Sequence, residues 1–84
     1  MGALFSLPNV GKVLEQNLNA IGVYTQEQLI HIGSKEAFLR IRLEVDSGAC
    51  LHMLYGLQGA IENIRDTGLS ETTKRDLREF YNSL

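Results

Sequence analysis

Three side chains in this chain have the chemistry of a soft metal ligand or a nucleophile–base pair: His31, Cys50 and His52. A zinc ion needs three or four converging ligands. Cys50 and His52 are two positions apart, so on a helix they point roughly 200° from each other and cannot share an ion. His31 would have to reach them from another element, and a Cys–His nucleophilic pair meets the same obstacle. The simpler expectation is that His31 is a partly exposed helical residue and Cys50 a small core residue. The ten carboxylates are scattered from Glu15 to Glu79. No two of them form the isolated pair in apolar surroundings that acid–base catalysis uses. No phosphate-binding Walker loop, dinucleotide fingerprint or H-E-x-x-H sequence is present. The sequence is therefore read as that of a non-enzyme, with no metal and no cofactor.

One stretch has a binding mechanism. Leu7-Pro8-Asn9-Val10-Gly11-Lys12 runs into a helical pattern that exits through Ala20-Ile21-Gly22-Val23-Tyr24-Thr25. A leucine–proline turn, a glycine opening a helix and an apolar-Gly-apolar exit resemble half of a helix-hairpin-helix module. Free backbone amides and the positive end of the helix dipole favour an anion such as a nucleic-acid phosphate there. Lys12 would add a point charge. Such contacts hold a protein on a duplex without reading its sequence. Ile32-Gly33-Ser34-Lys35 echoes the pattern at a second helix start. The candidate nucleic-acid-binding residues are thus Asn9, Val10, Gly11, Lys12, Gly33, Ser34 and Lys35. Turns of this kind also serve as packing elements or protein–protein surfaces. Between Pro8 and Ile32 the charges are only Lys12, Glu15 and Glu27, one cation against two anions.

The elements that must position this turn follow from apolar periodicity. Val10, Val13, Leu14, Leu18 and Ile21 form the stripe of a first helix, with Asn9 as its N-cap and Gly22 just past its end. Thr25 and Gln28 read as a capping box for a short second helix through Leu29, Ile30 and Ile32. Ser34 caps a third helix holding Ala37, Phe38, Ile41 and Val45, which Asp46-Ser47-Gly48 ends. Cys50, Leu54, Leu57, Ile61 and Ile64 stripe a fourth helix, the central post. Gly56 and Gly59 inside it cost about 1 kcal/mol each relative to alanine, which points to close approach of a neighbouring backbone. Leu69-Ser70 opens a fifth helix striped by Thr73, Leu77, Phe80, Tyr81 and Leu84. Lys74, Arg75 and Arg78 on it read as a solvated face, with Glu71 pairing to Lys74 or Arg75. No strand pattern appears. The fold class is all-α: five short helices in a helix-hairpin-helix-like single domain over residues 8–84, preceded by a leader over 1–7 whose Leu4, Phe5 and Leu7 pack on the domain or on a partner.

Composition agrees with this reading. The 84 residues are 44% hydrophobic and 21% charged, with a net charge of −2. One compact domain of that size buries about 60–65% of its unfolded surface, an adequate but thin core. Ordinary apolar content and low net charge exclude simple disorder. A single cysteine excludes an internal disulfide framework and favours a reducing, cytoplasmic setting. No apolar run approaches the roughly 18 residues of a membrane span, and the start of the chain lacks the basic segment of a signal peptide. Gly2 with Ser6 fits only the loose myristoylation pattern. Seven of the eight cations stand at or after Lys35, and a strong sequence-independent nucleic-acid binder is usually basic throughout.

Three separated segments carry a family resemblance: Leu7-Pro8-Asn9-Val10-Gly11, Gly33-Ser34-Lys35-Glu36-Ala37-Phe38, and Cys50-Leu51-His52-Met53-Leu54-Tyr55-Gly56-Leu57. With a closing L-S-x-x-x-K-x-x-L-x-x-F they resemble the TfoX C-terminal domain family from Leu7 to Leu84. The resemblance implies an all-helical, helix-hairpin-helix-like domain. In that family it forms the C-terminal half of bacterial regulators of natural competence, which act in transcription as coactivators with a DNA-bound activator, and it also occurs as a stand-alone small protein. This sequence is expected to be the stand-alone kind. The expected function is a non-enzymatic, DNA-associated or transcription-linked regulatory domain. Its expected partners are DNA, bound weakly and non-specifically, and a transcription factor or an N-terminal TfoX-like partner. A protein–protein interaction module or homodimer with no direct DNA contact is the alternative. No membrane role is expected. The resemblance brings no catalytic or ligand residues with it; it carries over the turn Asn9-Val10-Gly11 with Lys12 as a phosphate or partner contact.

Overall fold

Five helices account for most of the chain, and their boundaries follow backbone chemistry read from short side chains. The computed structural model describes residues 2–84. The helices are α1 (Lys12–Ala20), α2 (Gln26–Ile32), α3 (Ser34–Glu44), α4 (Leu51–Glu62) and α5 (Glu71–Asn82), with 3-10 turns at Ala3–Ser6 and Asp66–Gly68. Gly22, at φ +87°, ends α1. The amide of Val23 returns to the Leu18 carbonyl at 2.9 Å and that of Gly22 to Asn19 at 3.0 Å, the Schellman pattern. Asn63 does the same for α4 in the left-handed region. Thr25 caps α2 as expected, while Gln28 reaches back one residue past it, to the Tyr24 amide and not to that of Thr25. The Gln28 amide donates to the Thr25 hydroxyl at 3.1 Å, and the Tyr24 amide donates to the Gln28 side chain at 2.7 Å. Thr25→Ala removes the first of these and is expected to cost about 1 kcal/mol. Chemical denaturation would check it, and an unchanged midpoint would show that tertiary packing alone holds α2.

The core lies between α4 and the other helices. Leu18, Leu29, Phe38, Ile41, Leu54 and Leu57 are wholly buried in it. Leu4 joins them from the N-terminal 3-10 turn. That turn is fastened by Glu15, a buried carboxylate that accepts the amides of Phe5 at 3.0 Å and Gly2 at 3.4 Å. Along the α3–α5 seam the Phe38 and Tyr81 rings meet at 5.9 Å in a tilted arrangement, while Arg42 lies over Tyr81 and Lys35 over Phe80.

Several local expectations are corrected. Asn9 does not cap α1: the helix begins at Lys12 behind Gly11, with no side-chain cap. Val13, placed in the α1 stripe, is 67% exposed; the inward face of α1 carries Glu15, Asn17 and Leu18. Ser34 is the first residue of α3 and not its cap. Gly33 takes the cap position, and the Ser34 hydroxyl donates to Gln58 at 2.7 Å. Cys50 is the exposed N-cap of α4; Ala49 fills the buried place beside it. Val45 and Leu84 are exposed. Among the described residues the ion pairs are Lys35–Asp76 and Arg40–Glu36, with the His52 imidazole 3.5 Å from Asp66, so Glu71 has no cationic partner.

Candidate nucleic-acid interface

The turn before α1 is built around Asn9. Its φ of +70° lies in the left-handed region, which asparagine tolerates better than other non-glycine residues. The side chain points inward and makes three hydrogen bonds. Its amide nitrogen donates to the carbonyls of Ile64 at 2.9 Å and Gly56 at 3.4 Å, and its oxygen accepts the Asp66 amide at 3.1 Å. One side chain thus joins the turn to the middle of α4 and to the segment after it. Gly56 and Gly59 make room for it. A Cβ on Gly56 would stand 3.4 Å from the Asn9 Cβ, and one on Gly59 would meet the Asn9 side-chain nitrogen and lie 2.7 Å from the Ile64 carbonyl oxygen. A close approach is present at both glycines, but what approaches is the Asn9 side chain and, at Gly59, the exit of α4 itself at Ile64 and Asp66, where the backbone of a neighbouring element was expected.

Val10 follows Asn9 into the core, whereas Gly11 and Lys12 are exposed. The first intrahelical bond of α1 runs from the Glu15 amide to the Gly11 carbonyl at 3.0 Å. The amides of Lys12, Val13 and Leu14 lie ahead of it and have no helical acceptor. Glu15, the one acidic residue in this first turn, is engaged with Gly2 and Phe5. Lys12 takes part in none of the ion pairs. The arrangement can receive an anion through backbone amides, the helix dipole and one ammonium group. Beside the turn lies a cleft of about 410 Å³ whose walls include Asn9, Val13, Cys50, His52, Arg65 and Asp66.

The second candidate stretch lies elsewhere. Gly33, at φ +87°, is shared between the end of α2 and the start of α3. Ser34 is buried against Gln58. The Lys35 ammonium is 2.8 Å from Asp76 and 5.4 Å from the Phe80 ring centre. These residues line a different depression, between α3 and α5, so the fold does not bring the two stretches onto one cleft, and Lys35 is already partnered. His31 lines a third depression with Glu27 and Arg40, away from Cys50 and His52. Among the described residues no group of three or more His, Cys, Asp or Glu side chains could hold a metal ion. No helix there is long and apolar enough to cross a membrane.

Sequence reasoning missed Arg65 and Asp66 as neighbours of the α1 turn. Only the two glycines of α4 hinted that a distant segment must close on that helix.

The model of the TfoX C-terminal domain family matches residues 1–81. The chain belongs to that family. Two crystal structures from Listeria monocytogenes share its fold at 51% identity. One, described as an uncharacterized protein in a triclinic form, superposes with a TM-score of 0.91 over 95% of this chain and 90% of its own. The other, described as a protein of unknown function in a tetragonal form, gives 0.90 over 95% and 96%. No curated protein matches the chain.

Proposed function

We propose that this TfoX C-terminal domain is a non-enzymatic regulatory module of the transcription-linked, competence-related kind, which meets DNA backbone phosphate through the turn Asn9-Val10-Gly11-Lys12. The observation that carries the reading is the uncapped, exposed N-terminus of α1: three amides without acceptors, an unpaired lysine, and the nearest carboxylate engaged elsewhere. Asn9 serves by holding the turn and Val10 by anchoring it, so Gly11 and Lys12 are the contacting pair. The remaining cations are spread over other elements, and the net charge of −2 keeps the interaction weak and independent of base sequence. Selectivity for a promoter then comes from a protein partner.

Fluorescence anisotropy with a labelled duplex at low ionic strength tests this. Binding is expected with a log K against log salt slope of about −1, matching the one phosphate that Lys12 neutralises. Lys12→Glu is expected to weaken it about tenfold or more, since it removes one counterion-releasing contact and adds a repulsive charge. A duplex titration that stays flat at low salt overturns the reading.

A second reading has its own observation. The depression between α3 and α5, about 860 Å³, presents Ile30, Leu39, Ile61 and Phe80, with Ile30 half exposed. A protein partner or second copy seated there would make this an interaction module without DNA contact. Sedimentation across a concentration series distinguishes self-association from a monomer.

A further inference from the structure

The cleft beside the α1 turn, about 410 Å³, is the smallest and most enclosed of the three depressions described above. Its volume falls in the range of sites that take small organic molecules. Val13 and Leu14 of α1 and Met53 of α4 give it an apolar lining, and Val13 is left largely in solvent. The polar groups of the same lining are unequally engaged. The Asp66 carboxylate accepts the Thr67 amide at 2.9 Å and lies 3.5 Å from the His52 imidazole. The Arg65 guanidinium is exposed and takes part in no ion pair among the described residues. A forked set of N–H donors that lacks a carboxylate thus shares one cleft with uncovered apolar side chains. At the same cleft α4 opens on Cys50, with no side-chain cap and no acidic residue in its first turn. Its dipole favours the same sign of ligand charge.

We propose that this cleft binds a small organic carboxylate, whose apolar body covers Val13, Leu14 and Met53 and whose carboxylate pairs with Arg65. A planar guanidinium holds a carboxylate through two parallel N–H···O bonds. An exposed ion pair contributes little by itself, and the apolar body supplies the burial that it lacks. The site therefore selects molecules that carry both parts. This inference stands apart from the DNA reading of the α1 turn and uses none of its contacts.

Cys50 lines the cleft and is the only cysteine of the chain, so its rate of alkylation by iodoacetamide reports whether the cleft is filled. The probe is phenylbutyrate, with phenylbutanamide as its neutral counterpart and acetate as the anion without an apolar body. An ordinary ligand efficiency for about twelve heavy atoms gives a Kd of about 2 mM. About 10 mM phenylbutyrate is then expected to slow alkylation about sixfold. The amide and acetate at the same concentration should each slow it less than about twofold. Arg65→Gln, checked by its thermal melt to be folded, should reduce the effect of phenylbutyrate to that of the amide. In an NMR titration of the wild type, backbone amide shifts should centre on Val13, Met53 and Arg65. Equal protection by phenylbutyrate and by either control overturns the proposal, because it then needs only one of the two parts. Protection that survives Arg65→Gln overturns it, as do shifts centred on the α3–α5 depression. An alkylation rate that phenylbutyrate leaves unchanged overturns it outright.

Discussion

Asn9→Ala is expected to lower the stability of this domain by about 4 kcal/mol, a large loss for a single side chain outside the apolar core. Three hydrogen bonds disappear, to Gly56, Ile64 and Asp66. A typical bond contributes about 1 kcal/mol net, and a half-buried carbonyl or amide left without a partner costs more. Alanine must also hold a φ of +70°, a further cost of about 1 kcal/mol. The loss should appear as a fall of more than about 10 °C in thermal midpoint for a domain of this size. Asn9→Gly separates the two contributions, since glycine accepts the positive φ and lacks the side chain. It should recover about 1 kcal/mol of the alanine loss. If alanine and glycine variants melt with wild type, the three bonds do not hold the turn.

Gly59→Ala is expected to destabilise by about 2–4 kcal/mol, against the ordinary gain of up to 1 kcal/mol when alanine replaces glycine inside a helix. The sign inverts because there is no space for the methyl group. It would lie 2.7 Å from the Ile64 carbonyl oxygen and against the Asn9 amide nitrogen. The Ile64 carbonyl is backbone, held close by the return of the Ile64 amide to the Gly59 carbonyl at 2.9 Å, so it cannot swing away as a side chain would. Chemical denaturation of Gly59→Ala measures the effect. A neutral or stabilising result would show that the α4 exit relaxes easily. Because Gly59 and Asn9 touch, the double variant should deviate from additivity by at least about 0.5 kcal/mol. Gly56→Ala is a milder case, since its methyl group would meet only the Asn9 Cβ, at 3.4 Å.

These two residues also mark where sequence reasoning reached its limit. The glycine spacing in α4 pointed to a close approach, and the approach is there. What approached was not legible, because helical periodicity reports which face is apolar and says nothing about which distant segment will cover it. Asn9 shows the same limit from the other side. Its place before an apolar stripe is the local pattern of an N-cap, and locally that is the best use of its side chain. In the folded chain three tertiary partners compete for the same atoms and win, and the helix starts later, behind a glycine. Cys50, the N-cap of α4, has extended backbone and so leaves the helical stripe, and the cap of α3 falls on Gly33, which frees the Ser34 hydroxyl for its tertiary partner Gln58.

The sequence by itself determined the class and order of the elements: five helices, the stops at Gly22 and Gly33, the Thr25 cap with Gln28 reaching back, and membership of the TfoX C-terminal family. Those depend on interactions within a few residues, which composition and spacing record directly. The tertiary structure alone decided which cations are paired and which stand beside the α1 turn. Lys35 looked equivalent to Lys12 and is engaged by Asp76 and Phe80; Arg65 carried no local signal and stands on the same cleft as the α1 turn. The pairing of charges across a fold depends on through-space distances set by packing, and no local pattern in the chain encodes them.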